Sequence, residues 1–141
     1  MYKDILLPVD LEDSASSAQA LDVAVAQAKA LGATLHVLTV VPDFGMSVVG
    51  SFFPDDFAEK ALAETATRLD AYVDANVPDG VATRQMVAHG RIYNEIINAA
   101  DSAKADLIVM SAHHPDISDY LLGPNAARVA RHANQSVLIV R

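Results

Sequence analysis

Short apolar runs alternate with longer stretches of helical period along this chain, and that alternation constrains the fold more than any other feature. Ile5-Leu6-Leu7-Pro8-Val9 is apolar at every position and ends at Asp10. A strand with one face in water alternates apolar and polar residues, so an unbroken run marks a strand covered on both faces, as in a parallel sheet. Ala18, Leu21, Val25, Ala28 and Leu31 then share one helical face, with Asp13 or Ser14 as the expected cap and Gly32 as the stop. Leu35 to Val41 reads as a second strand, closed by Pro42. Phe57, Leu62, Ala66, Leu69 and Val73 mark a long amphipathic helix, and Val77-Pro78-Asp79-Gly80 a turn. Val81 to Ala88 is a third strand leading to His89-Gly90, and Tyr93, Ile96, Ile97 and Ala100 mark a third helix. Leu107 to Met110 is a short, fully apolar fourth strand, expected in the sheet interior. Asn125 to His132 reads as a fourth helix, whose Arg128, Arg131 and His132 complement the end of its dipole. Ser136 to Val140 is the fifth strand.

Five strands joined by helical crossovers predict an open, mostly parallel, doubly wound α/β sheet of Rossmann-like type with helices on both faces. The 141 residues fit one domain, which at this size buries roughly 68–70% of its unfolded surface. Cysteine is absent, so neither a disulfide nor a thiolate site can form, in keeping with a reducing cytoplasm. No signal peptide and no membrane span are legible. Eighteen acidic residues against ten Lys and Arg give a net charge of −8. That balance argues against nucleic acid and anionic membranes as partners, since both require a basic footprint.

In a sheet of this kind ligands bind beyond the carboxyl ends of the strands, where the strand order reverses. Asp10, Thr39 to Val41, His89-Gly90 and the loop after Met110 are therefore the candidates. The chain has no P-loop, no G-x-G-x-x-G and no G-x-S-x-G nucleophile elbow. A receiver domain would need a phosphorylatable acid after the third strand, where this chain has His89-Gly90. His113 and His114 are adjacent and lack a third partner, so no metal site is expected. Ser111, His114 and Asp116 crowd into six positions of one loop, poor geometry for a nucleophile–base relay, so no catalytic residues are assigned.

The segment Ser111-Ala112-His113-His114-Pro115-Asp116-Ile117-Ser118-Asp119-Tyr120-Leu121-Leu122-Gly123-Pro124-Asn125-Ala126-Ala127 resembles the signature of the universal stress protein family. The resemblance extends over the whole chain. It includes the opening Ile5 to Asp10, the His89-Gly90 turn, and the ending Val129-Ala130-Arg131-His132-Ala133 with Ser136 to Arg141. It is most similar to the F-type branch, in which S-H-R-P-D-I-x2-Y-L-L-G-S-N-A-A stands at this place. The resemblance implies an adenine-nucleotide α-hydrolase-like fold and a stress-response sensor or regulatory adaptor with little or no catalysis. The implied ligand is ATP, or AMP or ADP, with magnesium able to accompany the phosphates.

Carried onto this sequence, the adenosine side of the site would be Pro8, Val9, Asp10, Thr39, Val40 and Val41. The phosphate side would be Met110, Ser111, His113, His114, Gly123, Pro124 and Asn125, with Gly90 and Arg91 nearby. A glycine opening a helix suits this role, because helix N-termini present unpaired N–H groups and positive potential. Ser111 and His114 stand where the family's ATP-binding pattern has glycines, eight residues rather than nine separate His114 from Gly123, and Pro124 replaces a Ser or Thr. Proline removes a hydroxyl and an N–H, so a weakened hold on the outer phosphates is expected. The alternative reading is a family member that no longer binds nucleotide and works as a dimeric interaction module. Family likeness also implies a homodimer, formed through the last strand, Ser136 to Val140. The apolar connection from Asp43 to Pro54, with Phe44, Met46, Val48, Val49, Phe52 and Phe53, is either folded on the core, a lid, or a partner patch.

Overall fold

The computed structural model describes residues 1–42, 57–112 and 123–141. The Asp43–Pro54 connection, His113 and His114 lie outside them. Five strands, β1 (Asp4–Pro8), β2 (Thr34–Pro42), β3 (Thr83–Gly90), β4 (Leu107–Ser111) and β5 (Ser136–Val140), form one sheet. Among the described residues four α-helices accompany them: α1 (Ala18–Leu31), α2 (Phe57–Asn76), α3 (Ile92–Ser102) and α4 (Gly123–His132). The strand order is β3-β2-β1-β4-β5, and every pairing is parallel. The order runs outward from β1 to β3, then jumps back across β1 to β4. The reversal therefore falls between β1 and β4.

Two cores sandwich the sheet, and alternate residues of one strand feed opposite ones. Ile5, Leu7 and Val9 join Leu35, Val37, Leu107 and Val109 beneath α1 and α2. Leu6 joins Leu38, Val40, Ile108 and Met110 beneath α3 and α4. That two-sided burial is why β1 and β4 are apolar at successive positions. Burying each Leu or Ile contributes about 1.5–3 kcal/mol. α1 presents Ala20, Leu21, Ala24 and Ala28 to the sheet, and the small alanines let the helix lie close. Gly32, with φ of +63°, ends it, and its N–H closes onto the Ala28 carbonyl.

The structure corrects the expected start of α1. A 3₁₀ turn, Ser14–Ser17, intervenes, and Ser17 occupies the N-cap without a side-chain cap bond. Neither Asp13 nor Ser14 caps the helix. The local polar groups bond within the turn instead: Ser16 Oγ donates to the Asp13 carbonyl at 2.7 Å. The buried stripe of α1 is correspondingly rotated from Ala18 and Val25 to Ala20 and Ala24. In α4, Arg131 and His132 lie in the last turn as expected. Arg128 instead spreads over the Tyr93 ring of α3, 5.5 Å from its centroid.

The amino end of the sheet satisfies its own polar groups. Buried His36 meets Asp4, with Nε2 and Oδ1 2.9 Å apart. The Asp106 carboxylate accepts the N–H groups of Lys3 and Asp4. β5 forms one edge of the sheet, with Leu138 37% and Ile139 38% exposed.

Candidate functional site

The carboxyl end is built differently, and Pro8 is the reason. Along β1 the backbone groups face β2 and β4 by turns. The Val9 N–H reaches the Leu38 carbonyl of β2 at 2.8 Å, whereas the Asp4 carbonyl receives the Asp106 N–H from the β4 side. By the same alternation the nitrogen of Pro8 faces β4, and proline has no hydrogen to donate. The β1–β4 ladder accordingly holds only Ile5–Leu107 and Leu6–Ile108. On the other sides the pairing continues, to Pro8–Leu38 and to Ser111–Val140. The β1–β4 ladder thus stops short of the strand ends at the switch point, the place where sheets of this kind offer a crevice to ligands.

Asp10 stands at the mouth of that crevice with only 5% of its surface exposed. Its N–H donates to Ser17 Oγ at 3.4 Å, and its Oδ1 accepts the Glu12 N–H at 2.9 Å. Burial is the largest influence on its carboxyl and raises the pKa above the ordinary 3.8. The N–H groups of Glu12 and Asp13 oppose the rise, and the negative charges of Asp13 and Glu12 add to it. A carboxylate offers about four acceptor positions, so capacity remains for a ligand donor. Thr39 is buried beside it and donates from Oγ1 to the Val9 carbonyl at 3.1 Å, tying the end of β2 to β1.

Across the crevice, Ser111 ends β4 with 5% exposure. Its Oγ is buried and has no hydrogen-bond partner among the described residues. Such a group costs about 1–3 kcal/mol and calls for an explanation. The strand offset that pairs Ile5 with Leu107 puts Val9 level with Ser111 and Asp10 level with Ala112. The Ala112 N–H is taken by the Val140 carbonyl at 2.7 Å, so it is not free for a ligand. The carboxyl end thus combines an acceptor-only carboxylate, an unsatisfied hydroxyl and a broken ladder. Such a carboxylate takes ligand groups that donate, such as hydroxyl or amino groups.

The other candidate residues are placed less uniformly. Val40 is buried under α3, and Val41 is half-buried at the end of β2. Met110 lies wholly in the α3–α4 core, so it offers the crevice only backbone. Gly123 and Pro124 open α4, and half-buried Asn125 follows. A proline in the first helical turn gives up an N–H that has no intrahelical partner in any case. Gly90 and Arg91 sit at the end of β3, the opposite edge of the sheet. Three strand spacings, about 14 Å, separate β3 from β4. Arg91 is exposed and extended at the start of α3. Gly90 has φ of +148°, and a Cβ there would meet Glu95 Oε1 at 2.8 Å. Thus a carboxylate, not an open phosphate cradle, lies against the Gly90 backbone.

Three participants escaped the sequence reading. Ser17 receives the Asp10 N–H. Glu12 holds the Asp10 carboxyl through its N–H. Arg68 of α2 meets Glu12, with Nη1 and Oε1 2.6 Å apart. The first two are turn contacts that a polar cluster after a strand can suggest. The third joins residues 56 positions apart, and no local pattern encodes it. Among the described residues no group of three acids or histidines could hold a metal ion. Among them, too, no helix is long and apolar enough to cross a membrane.

An all-parallel sheet with helices on both faces and a crevice at its switch point defines a Rossmann-like α/β protein. Comparison with known proteins narrows the class. A model of the universal stress protein family matches residues 1–141. Universal stress protein G of Escherichia coli O157:H7 is 35% identical over 143 residues, covering the whole of both chains. Among solved structures, universal stress protein UspA from Lactobacillus plantarum matches with a TM-score of 0.71 and 28% identity, over 99% of this chain and 98% of that one. A universal stress protein solved in complex with cAMP matches with a TM-score of 0.60 and 28% identity, over 99% and 97%. The chain belongs to the universal stress protein family.

Proposed function

We propose that this protein binds an adenine nucleotide in the crevice between β1 and β4 and acts as a stress-response sensor or regulatory adaptor with little or no catalysis. The observation that carries the reading is the buried Asp10 carboxylate just after β1, with the Ser111 hydroxyl, unpartnered among the described residues, at the end of β4. The cAMP complex of a relative supports an adenine nucleotide as the ligand class. In this reading Pro8, Val9, Asp10, Thr39, Val40 and Val41 receive the adenosine. Met110, Ser111, His113, His114, Gly123, Pro124 and Asn125 are the residues assigned to the phosphates, with Gly90 and Arg91. AMP, ADP and ATP are all candidates, with magnesium accompanying the polyphosphates. The chain works as one cytoplasmic domain that pairs into a homodimer through β5, where exposed Leu138 and Ile139 line an unpaired edge.

The test is direct. The purified protein is denatured, and the supernatant is analysed for adenine nucleotides. Calorimetric titration with ATP, ADP, AMP and adenosine follows, with and without magnesium. Saturable binding supports the reading, and no heat at millimolar nucleotide refutes it. The second reading, a dimeric interaction module without nucleotide, is favoured by Pro124 and by the exposed apolar pair on β5. It predicts a dimer by light scattering and no bound nucleotide.

A further inference from the structure

A single peptide group links α2 to the carboxyl of Asp10. The guanidinium of Arg68 reaches down from α2 onto the segment after β1. Nη1 donates to Glu12 Oε1 at 2.6 Å, and Nη2 donates to the Leu11 carbonyl at 3.4 Å. The peptide that carries the Leu11 carbonyl also carries the Glu12 N–H, and that N–H donates to Asp10 Oδ1 at 2.9 Å. Arg68 therefore holds one edge of a planar group whose other edge holds the site carboxylate. A carbonyl that accepts from a cation polarises its peptide and strengthens the N–H on the opposite side. The base of the clasp is firm, because Leu69, next to Arg68, is fully buried against the sheet.

The ion pair contributes little to folding. The Arg68 side chain is 51% exposed and that of Glu12 74%, and exposed pairs add little stability. Its effect falls on the site instead. Asp10, Glu12 and Asp13 place three acids in four positions of one turn, and Arg68 offsets the charge of one of them.

We infer that Arg68 is a positioning residue for the nucleotide site: it fixes the Leu11–Glu12 peptide and, through that peptide's N–H, the orientation of the Asp10 carboxylate. The inference rests on the reading of Asp10 as a ligand for the nucleoside part of an adenine nucleotide. Because Arg68 acts through Asp10, its loss weakens adenosine and ATP alike. A cation acting on the phosphates would affect ATP alone.

The experiment titrates adenosine and ATP into the wild type, Arg68→Ala, Glu12→Gln, Asp10→Ala and the Asp10→Ala/Arg68→Ala double variant. Melting curves and amide NMR spectra of the ligand-free proteins accompany the titrations. For Arg68→Ala we expect affinity to fall about 5- to 10-fold for both ligands, with the melting temperature nearly unchanged. Glu12→Gln, which keeps the main-chain N–H, loses less. In the Asp10→Ala background, where no side-chain acceptor remains for the Glu12 N–H, Arg68→Ala has no further effect, since coupled residues are not additive. The Glu12 amide proton also shifts upfield in Arg68→Ala without any ligand, as its bond to Asp10 slackens. Unchanged affinity, a loss confined to ATP, an equal loss in the Asp10→Ala background, or an unmoved Glu12 amide overturns the inference alone. Failure of the wild type to bind either ligand overturns the functional reading, and with it this role for Arg68.

Discussion

Replacing Asp10 with asparagine separates the two consequences of burying a carboxylate at the crevice. Asparagine keeps the shape, and its Oδ1 still accepts the Glu12 N–H now bonded at 2.9 Å. What disappears is the charge. A hydrogen bond to a charged acceptor contributes about 1.5–3 kcal/mol. Adenosine and AMP are therefore expected to bind about 10- to 150-fold more weakly. Stability moves the other way. Burial holds the Asp10 carboxyl above its ordinary value of 3.8. A group that binds its proton more tightly when folded stabilises the fold fully below its unfolded value. That contribution is lost as the pH rises through the folded value. At neutral pH the wild type thus carries a buried charge that its backbone hydrogen bonds only partly offset, and Asp10→Asn does not. The variant should melt at or above the wild type at neutral pH, and the difference should close as the pH falls toward 3.8. Calorimetric titration and thermal melting across this range check both effects. Unchanged affinity together with a lowered melting temperature at neutral pH would refute the reasoning and make Asp10 a structural cap.

Pro8→Ala restores an N–H on the β4 side of β1. The ladder should extend past Leu6–Ile108, seen as slow hydrogen exchange at position 8, and nucleotide affinity should fall as the crevice narrows. Ser111→Ala removes a buried hydroxyl that has no partner among the described residues. It should raise stability by about 1 kcal/mol, or about 3 °C in melting temperature, while weakening the nucleotide in the same titration. Gly90→Ala forces a side chain into φ of +148° against Glu95. The cost should be about 1–3 kcal/mol by denaturant unfolding, and Glu95→Ala should recover the part due to contact but not the part due to φ. Leu138→Asp places a charge on the exposed edge of β5 and should give a 15.0 kDa particle by light scattering if the strand is the dimer contact.

Much of the fold was legible because its causes are local. Ile5 to Val9 and Leu107 to Met110 read as strands because two-sided burial leaves no polar position in them. Gly32 read as a stop because the chain needs a positive φ there. The start of α1 was misread. Asp13 and Ser14 carry the right side chains for a cap, yet the chain uses its polar groups inside a 3₁₀ turn that brings Ser17 under Asp10. The candidate site was only partly legible. Asp10 is legible from a strand end alone, Ser111 only through the resemblance, and neither route shows that Gly90, which ends β3, and Arg91 after it lie at the far edge of the sheet.

The sequence by itself determined the class of fold, the number and direction of the strands, and the acid that waits at the end of the first. These depend on periodicity, on residue volume and on the backbone limits of glycine and proline, all properties of neighbouring residues. Only the tertiary structure decided which strands meet at the switch point. It alone decided that the missing hydrogen of Pro8 faces β4, and that Arg68 closes onto Glu12. Strand order and clasps across 56 residues depend on which surfaces meet once the chain has packed on both faces of the sheet. Residues distant in sequence acquire those contacts from the whole fold, and no local pattern records them.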